Sequence, residues 1–243
     1  MSGQLPLGLR LSEDATLDNF VTGSNREAVS AVRNAVLGEG DRFLTLWGES
    51  GSGKSHLLQA ACHQAAVHNL STSYLSLSQA SELSPEMLEG LEALQLICLD
   101  DLDQIAGQLQ WEESLHHLYN GVRDNNGLLI AASRQPTHET SFSLADLKSR
   151  LSWGPSFHLQ PLSDDDKAIV LQHSAQTRGL TLPEEVARYL LTRFSRDMHT
   201  LILMLDKLDK ASMAEQKKLT IPFLKKQLAN QDEDFCQQPH NWV

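Results

Sequence analysis

The stretch that decides the fold is Gly48-Glu49-Ser50-Gly51-Ser52-Gly53-Lys54-Ser55. Its spacing, G-x-x-x-x-G-K-S, is typical of a loop that binds phosphates. Glycines let the backbone wrap closely around phosphates, Lys54 can reach the β- and γ-phosphate oxygens, and Ser55 can offer a hydroxyl to Mg²⁺. An apolar segment, 42–47, precedes the loop, and apolar residues at helical spacing follow it. An ordinary Gly/Ser turn lacks these flanks, so we predict a strand, a phosphate loop and a helix, with the phosphates at the helix N-terminus.

The composition favours a globular protein without a general affinity for nucleic acid. The 243 residues include 31 acidic and 20 basic side chains, and the formal net charge of −11 gives no overall attraction to DNA or to an anionic membrane. The sequence shows no apolar run as long as a membrane span, and we expect a cytoplasmic protein. Cys62 and Cys98 lie in a helical and a strand pattern, which predicts core packing rather than a disulfide or metal ligation. The histidines lack the spacing of a ligand pair, so no metal site built on them is expected.

Strand and helix patterns alternate through the first two thirds of the chain. That order predicts a parallel sheet with helices on both faces, followed from Ser163 by helices alone. We therefore predict an α/β fold with a P-loop core and a small all-α domain after it. The expected boundaries are 14–160 for the core, 161–230 for the helical domain and 231–243 for a tail, with 1–13 standing apart. The predicted strands are 43–47, 72–77, 94–99, 127–132 and 157–159, and the predicted helices of the core are 26–37, 55–68, 85–91, 110–125 and 146–151.

A pair of carboxylates follows one apolar strand of the predicted sheet. The segment 96–99 runs directly into Asp100 and Asp101, at the edge where α/β folds bind their ligands. We predict that Asp100 holds Mg²⁺ through water and that Asp101 faces the attacking water of hydrolysis. The alternative is a strand that simply ends in a polar turn. Ser133 follows the strand 127–132 and is expected between the Asp101 side and the γ-phosphate.

The order of these motifs resembles that of the AAA+ ATPases, and among them the bacterial replication initiator DnaA. The phosphate loop is similar to their Walker A motif and the two aspartates to Walker B, while Ser133 stands at the sensor 1 position. Residues 147–154, Leu-Lys-Ser-Arg-Leu-Ser-Trp-Gly, are similar to the DnaA box that carries an arginine finger. Residues 16–23 resemble the DnaA segment that frames the adenine ring. The resemblance implies an AAA+ core with a helical lid and covers about residues 14–228.

The resemblance also implies roles for individual residues. Arg150 would act in trans as an arginine finger on a neighbouring subunit's γ-phosphate, and the alternative is a structural arginine paired with an acid. His199 falls where DnaA carries its sensor 2 arginine, and Arg196 lies one helical turn away. Since a neutral histidine grips a γ-phosphate less well than an arginine, we expect bound ADP with Mg²⁺. Ser55 and Asp100 are the expected metal-site residues, and the expected nucleotide contacts are Gly48, Glu49, Ser50, Gly51, Ser52, Gly53, Lys54, Ser55, His56, Phe20, Val21, Ser133 and His199.

A short leucine-rich peptide precedes the DnaA-like part. The stretch 4–9, Gln-Leu-Pro-Leu-Gly-Leu, is similar to the Q-L-x-L-x-L peptide that binds the bacterial sliding clamp, the beta subunit of DNA polymerase III. Gln4, Leu5, Leu7 and Leu9 are the expected contacts, and the alternatives are an edge strand or disorder. A DnaA-type module with this peptide and without a basic DNA-binding domain resembles the Hda family, which switches off DnaA after replication starts.

This resemblance implies a regulator that stimulates hydrolysis of the ATP held by DnaA while docked on the DNA-loaded clamp. One rival is an AAA+ switch of the helicase-loader or initiator kind, which hydrolyses its own ATP with Asp101. A second rival is a DNA-binding initiator, and the acidic charge counts against it. Strong direct DNA binding and membrane association are not expected, and a homo-oligomer is compatible with the resemblance.

Overall fold

The protein is described by a computed structural model over residues 15–194, 197–215 and 217–229. The chain forms two compact units, one ending at Pro161 and the other beginning at Leu162. The strands of the first unit are β1 (Phe43–Trp47), β2 (Thr72–Ser76), β3 (Leu96–Asp100), β4 (Leu128–Ser133) and β5 (Ser156–His158). Its α-helices are α1 (Arg26–Val36), α2 (Lys54–Val67), α3 (Leu109–Asp124) and α4 (Ala145–Leu151).

The five strands form one parallel sheet in the order β2-β3-β4-β1-β5. Side chains alternate between the two faces of a strand, so each strand contributes to two cores. On one face, the buried residues of α1 and α2 pack against Leu46, Cys98 and Ile130. On the other face, those of α3 and α4 pack against Leu99 and Leu129. The predicted α/β core is therefore confirmed, and both cysteines of this unit are buried and free, as the sequence predicts.

The second unit consists of helices in the described part of the chain. They are α5 (Asp164–Thr177), α6 (Glu184–Arg193), α7 (Met198–Glu215) and α8 (Ile221–Ala229). Ser163 caps α5, because its hydroxyl accepts a hydrogen bond from the backbone N–H of Asp166 at 3.1 Å. The core contains Leu171, Leu190 and Leu205, all fully buried. These helices confirm the predicted all-α lid.

One predicted helix of the first unit is wrong. The sequence predicts an α-helix over 85–91, but the segment forms two short 3₁₀ turns, Pro85–Leu88 and Leu91–Ala93. Glu89 is extended between them, and Gly90 has a φ of +80°. An α-helix cannot continue across a residue in that backbone conformation, so the apolar residues at helical spacing belong to two separate turns.

Candidate functional site

The phosphate loop occupies the turn between β1 and α2. Gly53 is the residue before α2 and has a φ of +95°, while Gly51 has a φ of +76°. Gly48 has a φ of +153°, and a Cβ atom there would lie 2.5 Å from the carbonyl oxygen of Leu159. Glycine is therefore required at these positions by backbone conformation and, at Gly48, also by the close approach of the chain after β5.

The interior of this loop carries one ammonium group. Lys54 is buried, and its Nζ donates hydrogen bonds to the carbonyl oxygens of Gly48 at 2.7 Å and Glu49 at 2.9 Å. Burial lowers the pKa of Lys54, and the carboxylates of Asp100 and Asp101 oppose that shift. Both acceptors are neutral carbonyl groups, so the cation has no direct anionic partner in these two bonds and suits a phosphate oxygen.

The hydroxyl of Ser52 is a second polar group of the loop that suits a phosphate oxygen. The hydroxyl of Ser52 is buried and has no hydrogen-bond partner among the described residues. Buried hydroxyls are normally paired, and a phosphate oxygen held by the loop would provide a partner. Together with the glycine conformations, this group fits the loop to a phosphate. The loop residues Glu49, Ser50 and Ser55 are exposed, and the Ser55 hydroxyl could serve a hydrated Mg²⁺.

The two aspartates lie at the carboxyl end of β3. Asp100 is almost fully buried, and its Oδ2 accepts a hydrogen bond from the Tyr74 hydroxyl at 2.9 Å. Its Oδ1 accepts one from the backbone N–H of Asp101 at 3.0 Å. These bonds fix the carboxylate of Asp100 in one orientation beside Lys54, which is suited to holding a hydrated metal ion.

Asp101 has a different environment from its neighbour. Its backbone has a φ of +55°, in the left-handed region, and its Oδ2 accepts a hydrogen bond from the Ser76 hydroxyl at 3.1 Å. Burial raises the pKa of Asp101, and the adjacent charge of Asp100 raises it further. A carboxylate with a raised pKa is a better general base, so this residue could polarise a water molecule.

The end of β4 lies beside the phosphate loop. Ser133 pairs in register with Trp47, and its carbonyl oxygen accepts a hydrogen bond from the N–H of Gly48 at 3.3 Å. The Ser133 hydroxyl donates to the carbonyl oxygen of Gln135 at 2.6 Å. The sheet therefore brings this residue to the edge where the loop and the two aspartates lie. Its hydroxyl must leave its present partner before it can donate to a phosphate.

The segment that precedes α1 packs on the loop through an aromatic ring. A Cβ atom on Gly53 would lie 3.2 Å from Cε2 of Phe20, so the ring covers this glycine. The rings of Phe20 and His56 meet edge to face, with centroids 5.2 Å apart. The Nε2 atom of His56 lies 3.3 Å from the carbonyl oxygen of Thr16. Val21 is half-buried next to Phe20, and this segment could flank a base whose phosphates occupy the loop.

Arg150 lies in the last turn of α4. Its Nε donates to Oδ2 of Asp146 at 3.0 Å, and Nε2 of His116 lies 2.7 Å from the same oxygen. The hydrogen bonds from Arg150 and then His116 lower the pKa of Asp146. The guanidinium carbon lies 5.8 Å from the ring centroid of Trp153, and Nη1 is buried without a partner among the described residues. Arg150 is thus paired with an acid, and it must exchange Asp146 for another anion to contact a partner.

Other predicted site residues are only partly described. His199 lies in α7, and its side chain is outside the described part of the structure. Gln4, Leu5, Leu7 and Leu9 also lie outside the described residues, so their predicted contacts remain predictions. No helix in the described ranges has both the length and the apolar character needed to cross a membrane.

Two residues near this site were missed by sequence reasoning. Tyr74 could have been found from strand register, because it pairs with Cys98 on the face of β3 that also carries Asp100. Glu112 could have been found from the apolar stripe of α3, because it stands three residues before the buried Leu115 and is itself fully buried. A charged residue at a core position of a helix indicates a buried acid with a structural partner.

Comparison with protein-family models covers both units. Residues 11–158 match the bacterial DnaA ATPase domain. Residues 164–228 match the lid domain of Hda. The chain belongs to the DnaA-related AAA+ proteins of the Hda type. It is therefore an AAA+ nucleotide-binding protein related to the machinery of replication initiation.

Similar solved structures agree with this fold. Domain III of the DnaA replication initiation protein from Thermotoga maritima is 20% identical, with a TM-score of 0.77 over 91% of this chain and 98% of that one. AMPPCP-bound DnaA from Aquifex aeolicus is 24% identical, with a TM-score of 0.66 over 81% of this chain and 65% of that one. A Thermotoga maritima RuvB variant is 14% identical, with a TM-score of 0.68 over 90% of this chain and 73% of that one.

Proposed function

We propose that this protein represses repeated initiation of DNA replication by stimulating hydrolysis of the ATP bound to DnaA. In this proposal it binds ADP and Mg²⁺, docks on the DNA-loaded sliding clamp through Gln4, Leu5, Leu7 and Leu9, and presents Arg150 to DnaA. The family supports the coarse role, because the chain joins a DnaA-type ATPase domain to an Hda-type lid. The strong negative net charge also favours docking through proteins over direct binding to DNA.

The protein's own nucleotide has a structural role in this proposal. Lys54 and the loop N–H groups would hold the phosphates, and Asp100 with Ser55 would hold the hydrated Mg²⁺. His199 in place of an arginine removes a permanent charge from the γ-phosphate side, so ADP should bind at least as well as ATP. Calorimetry with purified protein tests this preference. An ATP affinity tenfold above that for ADP, about 1.4 kcal/mol, would contradict it.

The observation that supports the trans role is the incomplete hydrogen bonding of the Arg150 guanidinium. One N–H group is held by Asp146, an exposed carboxylate, while Nη1 is without a partner among the described residues. Solvent weakens an ion pair with an exposed carboxylate, so exchanging Asp146 for a phosphate of DnaA-bound ATP costs little in ion-pair energy. A guanidinium that arrives in trans stabilises charge during phosphoryl transfer, with effects of roughly 10³–10⁵ in rate in GTPase systems.

The test is hydrolysis of DnaA-bound ATP by Arg150→Ala protein in the presence of DNA-loaded clamp. Arg188→Ala is a matched control, because Arg188 also pairs with a carboxylate four residues earlier on its helix, Glu184, at 2.8 Å. We expect Arg150→Ala to keep its fold, its nucleotide and its clamp contact and to lose stimulation, whereas Arg188→Ala keeps stimulation. Full stimulation by Arg150→Ala would remove the trans mechanism. Equal losses in both variants would indicate a general effect of surface arginines.

A second function is favoured by the completeness of the protein's own site. Lys54, Asp100 and Asp101 meet at one edge of the sheet, and the raised pKa of Asp101 suits a general base. A switch that hydrolyses its own ATP would use this set. Turnover of ATP by the protein alone separates the two functions: appreciable turnover that Asp101→Asn abolishes supports the switch, and its absence supports the regulator.

A further inference from the structure

A buried carboxylate lies between the chain that leaves the two aspartates and the helix that carries Arg150. Glu112 stands in the first turn of α3 and has no exposed surface. Its Oε1 accepts hydrogen bonds from the N–H groups of Gly107 at 2.7 Å and Ser143 at 3.0 Å. Its Oε2 accepts one from the N–H of Leu144 at 2.7 Å. A buried charge is costly unless it is satisfied in this way, so the three bonds together hold it in one position.

Two of the three hydrogen bonds that Glu112 accepts come from residues just before α4, the helix that carries Arg150. Ser143 and Leu144 are the two residues immediately before α4, and Leu144 is its N-cap residue. The carbonyl of Leu144 in turn accepts the N–H of Lys148 at 3.1 Å, so the first helical turn begins at this residue. Because α4 has only seven residues, the position of its start determines the position of Arg150 in its last turn.

The third hydrogen bond, from the N–H of Gly107, connects Glu112 to the candidate nucleotide site. Gly107 ends the short segment that begins at Asp101, which contains the 3₁₀ turn Leu102–Ile105. Within it, Oδ1 of Asp103 accepts the N–H of Arg134 at 2.9 Å, at the end of β4. The segment is therefore anchored at the phosphate edge of the sheet at one end and on Glu112 at the other.

We propose that Glu112 is a positioning residue for Arg150 and that it makes the order of α4 depend on the nucleotide in the protein's own site. A nucleotide that fixes Asp101 also fixes the segment to Gly107 and, through Glu112, the backbone of Ser143 and Leu144 from which α4 begins. An effect of Glu112 on the hydrolysis of DnaA-bound ATP rests on the proposed function above. The hydrogen-bonded connection from Asp101 through Glu112 to α4 does not depend on that function.

The test compares full-length Glu112→Gln with Glu113→Gln, a neighbouring acid on the exposed side of α3. Glutamine keeps the size of the side chain but replaces one accepting oxygen by an NH₂ group that faces backbone N–H donors. A second variant, Ser143→Pro, removes one donor and leaves the buried carboxylate in place. Hydrogen exchange of the peptides spanning 101–112 and 143–151 is measured with and without ADP and Mg²⁺.

In the parent protein and in Glu113→Gln, ADP should slow exchange in both peptides. In Glu112→Gln and Ser143→Pro, exchange over 143–151 should be roughly tenfold faster, since bonds to charged acceptors are strong, and it should no longer respond to ADP. The 101–112 peptide should still respond to ADP. A normal ADP response of 143–151 in a folded Glu112→Gln or Ser143→Pro protein would overturn the proposal.

A stimulation assay distinguishes positioning from general stability. With clamp and ATP-bound DnaA, Glu112→Gln should lower the maximal rate of hydrolysis at least tenfold and leave the half-saturating protein concentration nearly unchanged. The double variant with Arg150→Ala should be no slower than Arg150→Ala alone, whereas additive losses or a shifted half-saturating concentration would contradict positioning. If the exchange results hold but Arg150→Ala still stimulates, the connection stands and the proposed function fails.

Discussion

Replacing Gly53 by alanine tests how the phosphate loop and Phe20 fit together. Gly53 has a φ of +95°, and a Cβ atom there would lie 3.2 Å from Cε2 and 3.3 Å from Cζ of Phe20. An L-residue in the left-handed region costs roughly 1–2 kcal/mol, and displacing a packed ring adds about 1 kcal/mol. We therefore expect Gly53→Ala to lower the free energy of unfolding by about 2–3 kcal/mol, measured by urea unfolding followed by circular dichroism.

Gly38→Ala separates the two contributions. Gly38 has a φ of +79°, but a Cβ atom there would have no heavy atom within 4 Å. This control should lose only about 1–2 kcal/mol, because it has the backbone strain without the contact. In the Gly53→Ala background, Phe20→Leu should restore part of the difference, since contacting residues give non-additive effects. At roughly 2–4 °C per kcal/mol for a chain of this size, melting temperatures would resolve the two variants.

The same substitution should weaken ADP binding. Phe20 is predicted to flank the adenine ring, so its displacement should reduce ADP affinity about tenfold, or about 1.4 kcal/mol, while Gly38→Ala binds like the parent. The loop N–H at this position survives in alanine, so complete loss of binding is not expected. Equal stabilities of Gly53→Ala and Gly38→Ala, together with parental ADP binding by both, would refute the contact between Phe20 and the loop.

Three further predictions follow from the charges and the peptide. Lys54→Ala should abolish ADP binding in calorimetry with little change in melting temperature, because burial already lowers the pKa of this ammonium and its loss removes a desolvated charge. Asp101→Asn should be more stable than the parent at neutral pH. The pKa of Asp101 is raised in the folded protein, so the parent loses stability as pH rises through that pKa. Unfolding measured at a series of pH values should therefore show that the extra stability of Asp101→Asn disappears in acid. Changing Gln4 and Leu5 to alanine should abolish clamp binding in surface plasmon resonance without shifting the melting temperature; a large shift with binding retained would favour an edge strand.

The general fold could be predicted because its signals are local. The phosphate loop requires a strand before it and a helix after it, and the run of apolar residues ending in Asp100 and Asp101 identified β3. The segment 85–91 was mispredicted because apolar spacing cannot distinguish one helix from two turns when Gly90 takes a left-handed conformation. Spacing within one segment does not show which groups meet across the fold. The bond from Tyr74 to Asp100 depends on the register between β2 and β3, which the spacing along either strand alone does not define.

The arrangement of acids explains why a regulator would retain a complete phosphate site. In the proposed mechanism Arg150 supplies in trans the charge that completes hydrolysis on DnaA, so the regulator does not need to hydrolyse its own nucleotide. Its bound nucleotide then has another physical effect, which is to order the chain around it. Asp101 stands in a conformation that a non-glycine residue adopts at a cost, and the segment from Asp101 to Gly107 ends on the buried Glu112. In the proposed coupling, nucleotide binding energy that stabilises this segment also fixes the start of the helix that carries Arg150, and a guanidinium contributes to catalysis only when it is held in the right position.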